Sequence, residues 1–422
     1  MSEIEKIKGS LLRLEDWSTK ADWKAYDTFD GLSSPLAPVF TLGGVPHLKQ
    51  FWQQGMRRFP INLRPLLGVK VSHSSKGMGF YAQGYLKLHE ITGDDDYLDR
   101  MHHCLTWLLE NRCPQFEGNA WGNHFDYQSR GGRIPKGTPT VVWTSLIGHA
   151  FLDAYDAVGE ENYLDAAVDA AEFIINELGW HDTGKDLCLN YIPGEKIDAP
   201  NDIYDGEKIS VIHNSNVLGA GLLARVNTHK AKDRYVEISK RAVNFTVRDQ
   251  LPNGAWYYGN TPKFHWVDSF HTAYNLESID WYQRCSGDHE YEKSLQSGYD
   301  FWIDTFFGED GTPHYYDHKV LPIDIQCSSQ AIQTLVNLRH LHPDSVGVAE
   351  RVANWTIDNM QDRSGYFYYR KYPLITNKTA TLHWGQATMF AALATLVEYL
   401  GVRQGEVGEV ADAATDLRTT TS

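Results

Sequence analysis

Cysteine is scarce in this chain of 422 residues, and no two cysteines are closely spaced. The five are Cys104, Cys113, Cys188, Cys285 and Cys327, an odd number without a Cys-x-x-Cys motif. This pattern argues against a disulfide framework and against a cysteine-rich zinc site. We therefore expect reduced, partly buried thiols.

Long apolar runs are also missing. No stretch approaches the roughly 18 apolar residues that a membrane-spanning helix needs. The start of the chain, from Met1 to Ser10, is charged and lacks the apolar region of a secretory signal. These absences predict a cytoplasmic protein without stable membrane insertion.

Basic residues do not predominate. The chain has 39 Lys and Arg against 54 Asp and Glu, which gives a formal net charge of −15. This balance disfavours nucleic acid, or an anionic membrane, as a general partner of the whole chain. The sequence also lacks a P-loop, a dinucleotide fingerprint, a Gly-x-Ser-x-Gly elbow in the right context and a His-Glu-x-x-His motif. We therefore expect neither a cofactor nor a catalytic metal.

The chain does contain a repeat that occurs six times. Each unit pairs an amphipathic helical pattern with a more apolar one, and a loop rich in glycine and aromatic residues lies between them. A supersecondary unit repeated at about 55–70 residues predicts an array of helical hairpins. The amphipathic patterns lie at about 48–67, 95–112, 161–179, 233–250, 289–307 and 345–361, and the apolar ones at about 73–89, 139–157, 211–226, 266–282, 322–338 and 383–399.

Strict alternation of six amphipathic and six apolar helices predicts an all-α (α/α)6 barrel, with the apolar helices inside. Small β-hairpins are expected in the aromatic loops at one end. An open α-solenoid is the alternative, but the polar and aromatic starts of the inner helices favour closure. We expect an N-terminal surface segment at 1–44, one barrel domain at 45–402 and a disordered tail at 403–422.

The starts of the inner helices carry most of the candidate functional residues. In a closed barrel they meet at one end, below the aromatic loops. Aromatic rings stack on the apolar face of a sugar ring, while amides and carboxylates bind its hydroxyl groups. The sequence therefore predicts a sugar-binding funnel at this end.

Four residues are candidates for catalysis: Asp268, Asp324, His271 and His213. Asp268 and His271 are three residues apart and share one face of a helix. Two carboxylates from different inner helices can act as general acid and base, or one can act as nucleophile. The alternative is structural, with each aspartate capping its helix and the histidines packed in the core.

A second group of residues is predicted to bind substrate. Arg130, in the long loop at 121–139, can hold a carboxylate through two parallel hydrogen bonds. His383 and Trp384, at the start of the last inner helix, can contact the sugar. The full group is Trp121, Asp126, Arg130, Trp143, Asn214, Tyr258, Gln330, Arg370, His383 and Trp384.

These features resemble the six-hairpin glycosidase-like superfamily, which includes unsaturated glucuronyl hydrolases and N-acylglucosamine 2-epimerases. Several stretches are more narrowly similar to the AglQ-type proteins of archaeal and bacterial surface-glycan assembly; they are 121–130, 213–221, 268–277, and 322–325 with Gln330. The resemblance implies work on a glycan that contains hexuronic acid. In the glucuronyl hydrolases an aspartate at an inner-helix end is the general acid and base, and Asp268 and Asp324 occupy comparable places.

Three functions remain open at this point. The first is a glycoside-hydrolase-like enzyme that uses Asp268 and Asp324, on an oligosaccharide or a lipid- or nucleotide-linked sugar. The second is a sugar epimerase or isomerase, in which a pair of His or Tyr side chains transfers a proton at C2 or C5. The third is a barrel that binds a glycan without catalysis.

Overall fold

The computed structural model describes residues 3–129, 132–194 and 212–404, and it is dominated by helices. Fourteen α-helices lie in these ranges: α1 (Glu3–Lys20), α2 (Ala37–Phe40), α3 (Pro46–Arg58), α4 (Ser75–Thr92), α5 (Asp95–Glu110), α6 (Val141–Val158), α7 (Glu161–Phe173), α8 (His213–His229), α9 (Asp233–Arg248), α10 (Ser269–Ser286), α11 (Glu292–Phe306), α12 (Ile325–Asn337), α13 (Ser345–Met360) and α14 (Ala387–Gln404). None of them combines the length and the apolar character needed to cross a membrane.

Six helices form a closed inner ring. Each of α4, α6, α8, α10, α12 and α14 packs on the next, and α14 packs back on α4. Close approach depends partly on small residues: a Cβ atom at Gly148 of α6 would lie 2.7 Å from Leu222 of α8. Outside this ring α5, α7, α9, α11 and α13 each pack on an inner helix. The predicted (α/α)6 barrel is therefore confirmed.

The sixth outer helix differs from the expected one. The amphipathic pattern at 48–67 forms α3 only as far as Arg58, because Phe59 precedes Pro60 and adopts an extended conformation. The outer position is instead filled by α1, which contacts α13 and α14. Ile7, Leu11 and Leu14 of α1 are fully buried. The N-terminal segment therefore contributes a helix to the packed wall, where the sequence predicted a surface segment.

Short strands occur in the loops that precede the inner helices. They are β1 (Tyr127–Ser129), β2 (Gly132–Ile134), β3 (Trp180–Asp182), β4 (Leu187–Leu189), β5 (Ile323–Asp324), β6 (Arg370–Lys371) and β7 (Thr376–Asn377). The pairs β1–β2 and β3–β4 are antiparallel hairpins, and β5, β6 and β7 form one antiparallel sheet. The aromatic stretch at 254–259 makes one isolated bridge, from Gly259 to Ile212, in place of a hairpin.

The ends of the inner helices explain why polar residues gather there. Side chains of Ser74, Thr140, Asp268 and Asp324 cap α4, α6, α10 and α12 by accepting a hydrogen bond from a backbone N–H of the first turn. The first N–H groups of a helix have no partner within the helix, and in the packed ring these side chains satisfy one at each end. The N-terminal ends of the inner helices therefore carry both capping side chains and side chains that face the space between the helices. The predicted tail after residue 404 lies outside the described residues.

Candidate active site

A cavity of about 880 Å³ lies where the N-terminal ends of the inner helices meet. This volume accommodates a mono- or disaccharide-sized ligand. Helix α3 and the loops with β1 and β2 contribute to its walls. Aromatic side chains dominate the lining: Phe29, Phe125, Tyr127, Trp143, Tyr191, Tyr258, Trp266, Phe270, Tyr274, Tyr315 and Trp384.

The charges that face this cavity are of one sign. Among the described residues its lining includes Arg57, Arg58, Lys76 and Lys263 and contains no Asp or Glu. The positive ends of the inner-helix dipoles point in the same direction. The described part of the cavity lining is therefore electropositive in a chain with a net charge of −15, which favours an anionic ligand or an anionic intermediate.

His271 faces the cavity at the start of α10, and its orientation is fixed by Asp268. The Asp268 Oδ2 atom lies 2.7 Å from Nδ1 of His271 and accepts a hydrogen bond of 2.9 Å from Nε1 of Trp266. Its Oδ1 accepts from the His271 backbone N–H at 3.0 Å. A carboxylate on Nδ1 keeps the proton there and leaves Nε2 as the nitrogen that can take a proton from a ligand.

His383 repeats this arrangement in the turn before α14. Its Nδ1 lies 2.5 Å from Oδ2 of Asp27, and both side chains are almost fully buried. Burial opposes ionisation of Asp27, but His383 and the backbone N–H of Phe29 hold the pKa of that carboxyl below its usual value. Burial lowers the pKa of His383 despite the charge of Asp27. A neutral imidazole beside a carboxylate at neutral pH is suited to be a general base.

Asp27 is held in place by a second carboxylate. Asp30 Oδ2 accepts a hydrogen bond of 2.9 Å from the Asp27 backbone N–H. Arg64 donates from Nε to Asp30 Oδ1 at 2.6 Å and from Nη2 to the Asp27 carbonyl at 2.7 Å. All three side chains are buried. The loop that carries Asp27 is therefore fixed on the side away from His383.

Lys76 is a cation in the same region. It is buried at the start of α4 and lines the cavity. Its Nζ donates to the Tyr274 hydroxyl at 3.3 Å and lies over the Phe80 ring. No carboxylate of the described residues lies within 4 Å of it, and burial lowers the pKa of Lys76 to about 7. An amine with this pKa can exchange a proton near neutral pH.

Arg57 of α3 is a second cation held by aromatic groups. Its Nε donates to the Tyr369 hydroxyl at 3.0 Å, and its guanidinium lies 4.6 Å from the centre of the Phe29 ring and 5.5 Å from that of Trp384. Among the described residues it has no carboxylate within 4 Å. The remaining N–H groups of Arg57 are therefore available to an anion in the cavity.

The structure brings several predicted residues to the cavity. His271, Trp143, Asn214, Tyr258, His383 and Trp384 all line it. Trp143 and Trp384 lie on two sides of His383, with ring centroids 4.9 Å and 5.7 Å away. These residues share one feature, namely a position within the first turn of an inner helix or in the loop before it.

Asp324 and Arg370 lie together behind the cavity wall. Arg370 donates to Asp324 Oδ2 from Nε at 3.0 Å and from Nη2 at 2.5 Å, and the Asp324 Oδ1 atom caps α12. The side chains are 1% and 7% exposed. The carboxylate and the guanidinium satisfy each other, so this geometry favours a structural role over catalysis by Asp324 or substrate binding by Arg370.

Other predicted residues have internal partners. Trp121 is fully buried and donates to the Leu108 carbonyl at 2.8 Å, and Asp126 pairs with Arg133 at 2.7 Å. Gln330 donates to Glu277 at 2.9 Å. His213 packs beside Phe245 with 2% of its side chain exposed, and burial lowers its pKa to about 4. Arg130 lies outside the described residues.

Asp27, Arg57 and Lys76 are charged residues of the cavity region that were not predicted as site residues. Asp27 and Arg57 precede the first inner helix, so the repeat did not indicate them. One signal in the sequence points toward Arg57 and Lys76. No Asp or Glu occurs between Gly31 and His89, although seven Lys and Arg do.

The described residues contain no group of three His, Cys, Asp or Glu arranged to hold a metal.

Solved structures with a similar fold are sugar epimerases and glycoside hydrolases. Cellobiose 2-epimerase from Bacillus thermoamylovorans superposes with a TM-score of 0.58 at 11% identity, over 78% of this chain and 90% of that one. A GH76 α-mannanase from Bacteroides thetaiotaomicron gives 0.60 at 12% identity, over 79% and 88%. An unsaturated glucuronyl hydrolase specific for heparin gives 0.59 at 11% identity, over 95% and 98%.

No protein-family model and no curated protein sequence matches this chain. At 11–12% identity the structural likeness establishes the fold and not the reaction. The protein thus has the (α/α)6 barrel fold that sugar epimerases and glycoside hydrolases of the six-hairpin type share.

Proposed function

We propose that this protein is a carbohydrate-processing enzyme, and specifically an epimerase or isomerase of an anionic sugar. His271 and His383 form the acid–base pair. Each imidazole lines the cavity and carries a carboxylate on Nδ1, from Asp268 and Asp27 respectively. These two histidine–aspartate contacts are the observation that carries the proposal.

The reaction needs a proton to leave and return at a carbon next to a carbonyl or carboxylate. One neutral imidazole removes it through Nε2, and the negative charge spreads onto the neighbouring oxygen. The other histidine, as imidazolium, delivers its Nε2 proton to the opposite face of the same carbon, which inverts it. Delivery to the adjacent carbon, together with proton transfer between the two neighbouring oxygens, isomerises the sugar instead. Arg57 and Lys76 offset the charge of the intermediate. His271 and His383 belong to the fourth and sixth inner helices, so they approach the cavity from different sides.

The cavity supports this reaction better than hydrolysis by two carboxylates. Such hydrolysis needs two carboxyl groups that reach the glycosidic bond, whereas the described lining has none. Asp324 is hydrogen-bonded to Arg370, and Asp268 is hydrogen-bonded to His271 and Trp266. We therefore prefer the proton-transfer reaction.

The proposed substrate carries a carboxylate, as a hexuronic acid does. The support is the all-cationic lining, and in particular Arg57, whose planar guanidinium suits a carboxylate. Aromatic residues such as Trp143 and Trp384 would stack against the sugar ring.

The test is incubation of the protein with uronates, neutral aldoses and uronate oligosaccharides in deuterated water, followed by NMR. We expect deuterium at a sugar carbon without the appearance of new reducing ends. New reducing ends without ring exchange would instead establish hydrolysis. Loss of exchange in His271→Asn and His383→Asn, but not in His289→Asn, ties the activity to the cavity, because His289 is exposed on the outer wall.

A further inference from the structure

The exposed apolar side chains are concentrated in two segments of the chain. Of the sixteen large hydrophobic residues that are exposed in the described chain, twelve lie at 36–71 or 374–375. Leu374 is 99% exposed, Leu66 82% and Phe51 78%. A soluble surface normally carries such residues singly, so this concentration marks an interaction surface.

Contacts join the two segments into one surface, here called the rim face and defined as residues 36–71 and 372–378. The Tyr372 hydroxyl donates to the Arg58 carbonyl at 3.0 Å, and Asn377 donates to the Phe59 carbonyl at 2.8 Å. Phe51 is both exposed on this face and part of the cavity lining. The rim face therefore borders the cavity.

The rim face differs from the rest of the molecule in charge. The rim face contains no Asp or Glu and six Lys and Arg, of which Arg64 is buried and paired with Asp30. Arg58, Lys70 and Lys378 are exposed on the rim face itself. The acidic residues that give the chain its net charge of −15 all lie elsewhere in the sequence.

We propose that the rim face docks on the surface of an anionic lipid bilayer. Exposed Leu and Phe side chains enter the boundary between headgroups and acyl chains, and the cations pair with lipid phosphates. A second copy of the chain fits this face less well, since joining two identical faces would bring cationic stretches together. Docking turns the side of the cavity that the rim face borders toward the membrane. The inference goes beyond the proposed reaction and does not depend on it.

The experiment is co-sedimentation of the full chain with phosphatidylcholine vesicles, with and without phosphatidylglycerol. We expect binding to the anionic vesicles, weak binding to the neutral ones, and release as the salt concentration rises. The double variant Leu66→Asp/Leu374→Asp should lower the apparent affinity by about tenfold or more, because it removes apolar insertion and adds repulsion. Val236→Asp is the matched control, since Val236 is 42% exposed but lies on the outer helix α9.

Two outcomes overturn the proposal: equal binding of the native protein to neutral and anionic vesicles, or equal binding of the double variant and the native protein. A native dimer that becomes monomeric in the double variant, without vesicle binding, would assign the rim face to a second copy instead. Both substitutions are at highly exposed positions, and denaturant unfolding checks that folding is unchanged. Vesicle binding by His271→Asn should match that of the native protein, which separates docking from the proposed reaction.

Discussion

The Asp27 carboxylate lies 2.5 Å from Nδ1 of His383, although 356 positions separate the two residues in the chain. The Asp268 carboxylate likewise lies 2.7 Å from Nδ1 of His271, which is only three positions away in the chain. One dyad is therefore local to a helix start, while the other joins the N-terminal segment to the last inner helix. Both expose an imidazole to the same cavity.

Removing either carboxylate should impair the histidine that it orients. We expect Asp27→Asn and Asp268→Asn each to lower kcat by about 10²- to 10⁴-fold, because an amide no longer favours the proton on Nδ1. Asparagine also caps helices well, so Asp268→Asn keeps the cap of α10. Steady-state kinetics over a pH range checks this, with exposed Asp16→Asn as control. Unchanged kcat in both variants would contradict the orienting role.

We expect each histidine to remove the proton from only one of the two epimers. In deuterated water His271→Asn is expected to lose exchange from one epimer and to keep it from the other, and His383→Asn should show the opposite preference. Net interconversion should fall by about 10³-fold or more in both, since it needs both groups. NMR of each pure epimer measures the two exchanges. If both variants lose exchange from the same epimer, the two-base assignment is wrong.

Arg57 should contribute to the binding of an anionic sugar. We expect Arg57→Gln to raise KM about 10- to 100-fold for a uronate, the range for losing a hydrogen bond to a charged group. The KM for the matching neutral sugar should change much less. Arg351→Gln, on the outer wall, is the control. An equal rise in KM for both sugars would show that Arg57 does not distinguish the charged sugar from the neutral one.

Lys76 should make stability depend on pH. Burial lowers the pKa of Lys76 to about 7 in the folded protein, whereas an unfolded lysine titrates near 10.4. The unfolded chain therefore binds more protons between these values, so stability should rise as pH increases from about 7 to about 10.

The variant Lys76→Met removes this dependence. At pH 7 we expect it to be more stable than the native protein by about 2–4 kcal/mol, with the difference shrinking toward pH 10. Urea unfolding at several pH values tests this, with exposed Lys293→Met as control. A difference that does not vary with pH would show that the buried amine is not the cause.

The Asp324–Arg370 pair should matter for stability and not for proton transfer. Asp324→Asn leaves a buried guanidinium without its partner and should lower the free energy of unfolding by about 3–5 kcal/mol. The double variant Asp324→Leu/Arg370→Met should recover much of this loss. Urea unfolding of the single and double variants measures both effects. A catalytic Asp324 would instead be revealed by a changed pH profile at full stability.

The sequence determined the repeat, and with it the barrel and the end at which the polar starts of the inner helices meet. Hydrophobic periodicity is local, so the bounds of the inner helices could be predicted to within a few residues. The same argument found His271, Trp143, Asn214, Tyr258, His383 and Trp384, because a closed ring of helices brings its N-terminal ends together.

Only the tertiary structure decided which groups are partners. Asp27 and Asp324 are both buried aspartates, yet one orients a cavity histidine and the other neutralises Arg370. A capping or loop carboxylate has no periodicity that reveals what it faces, and its partner depends on contacts between distant segments. For this reason residue types and spacing predicted Asp268, Asp324, His271 and His213 as catalytic groups, whereas the packed structure places His271 and His383 at the cavity, each with an aspartate behind it.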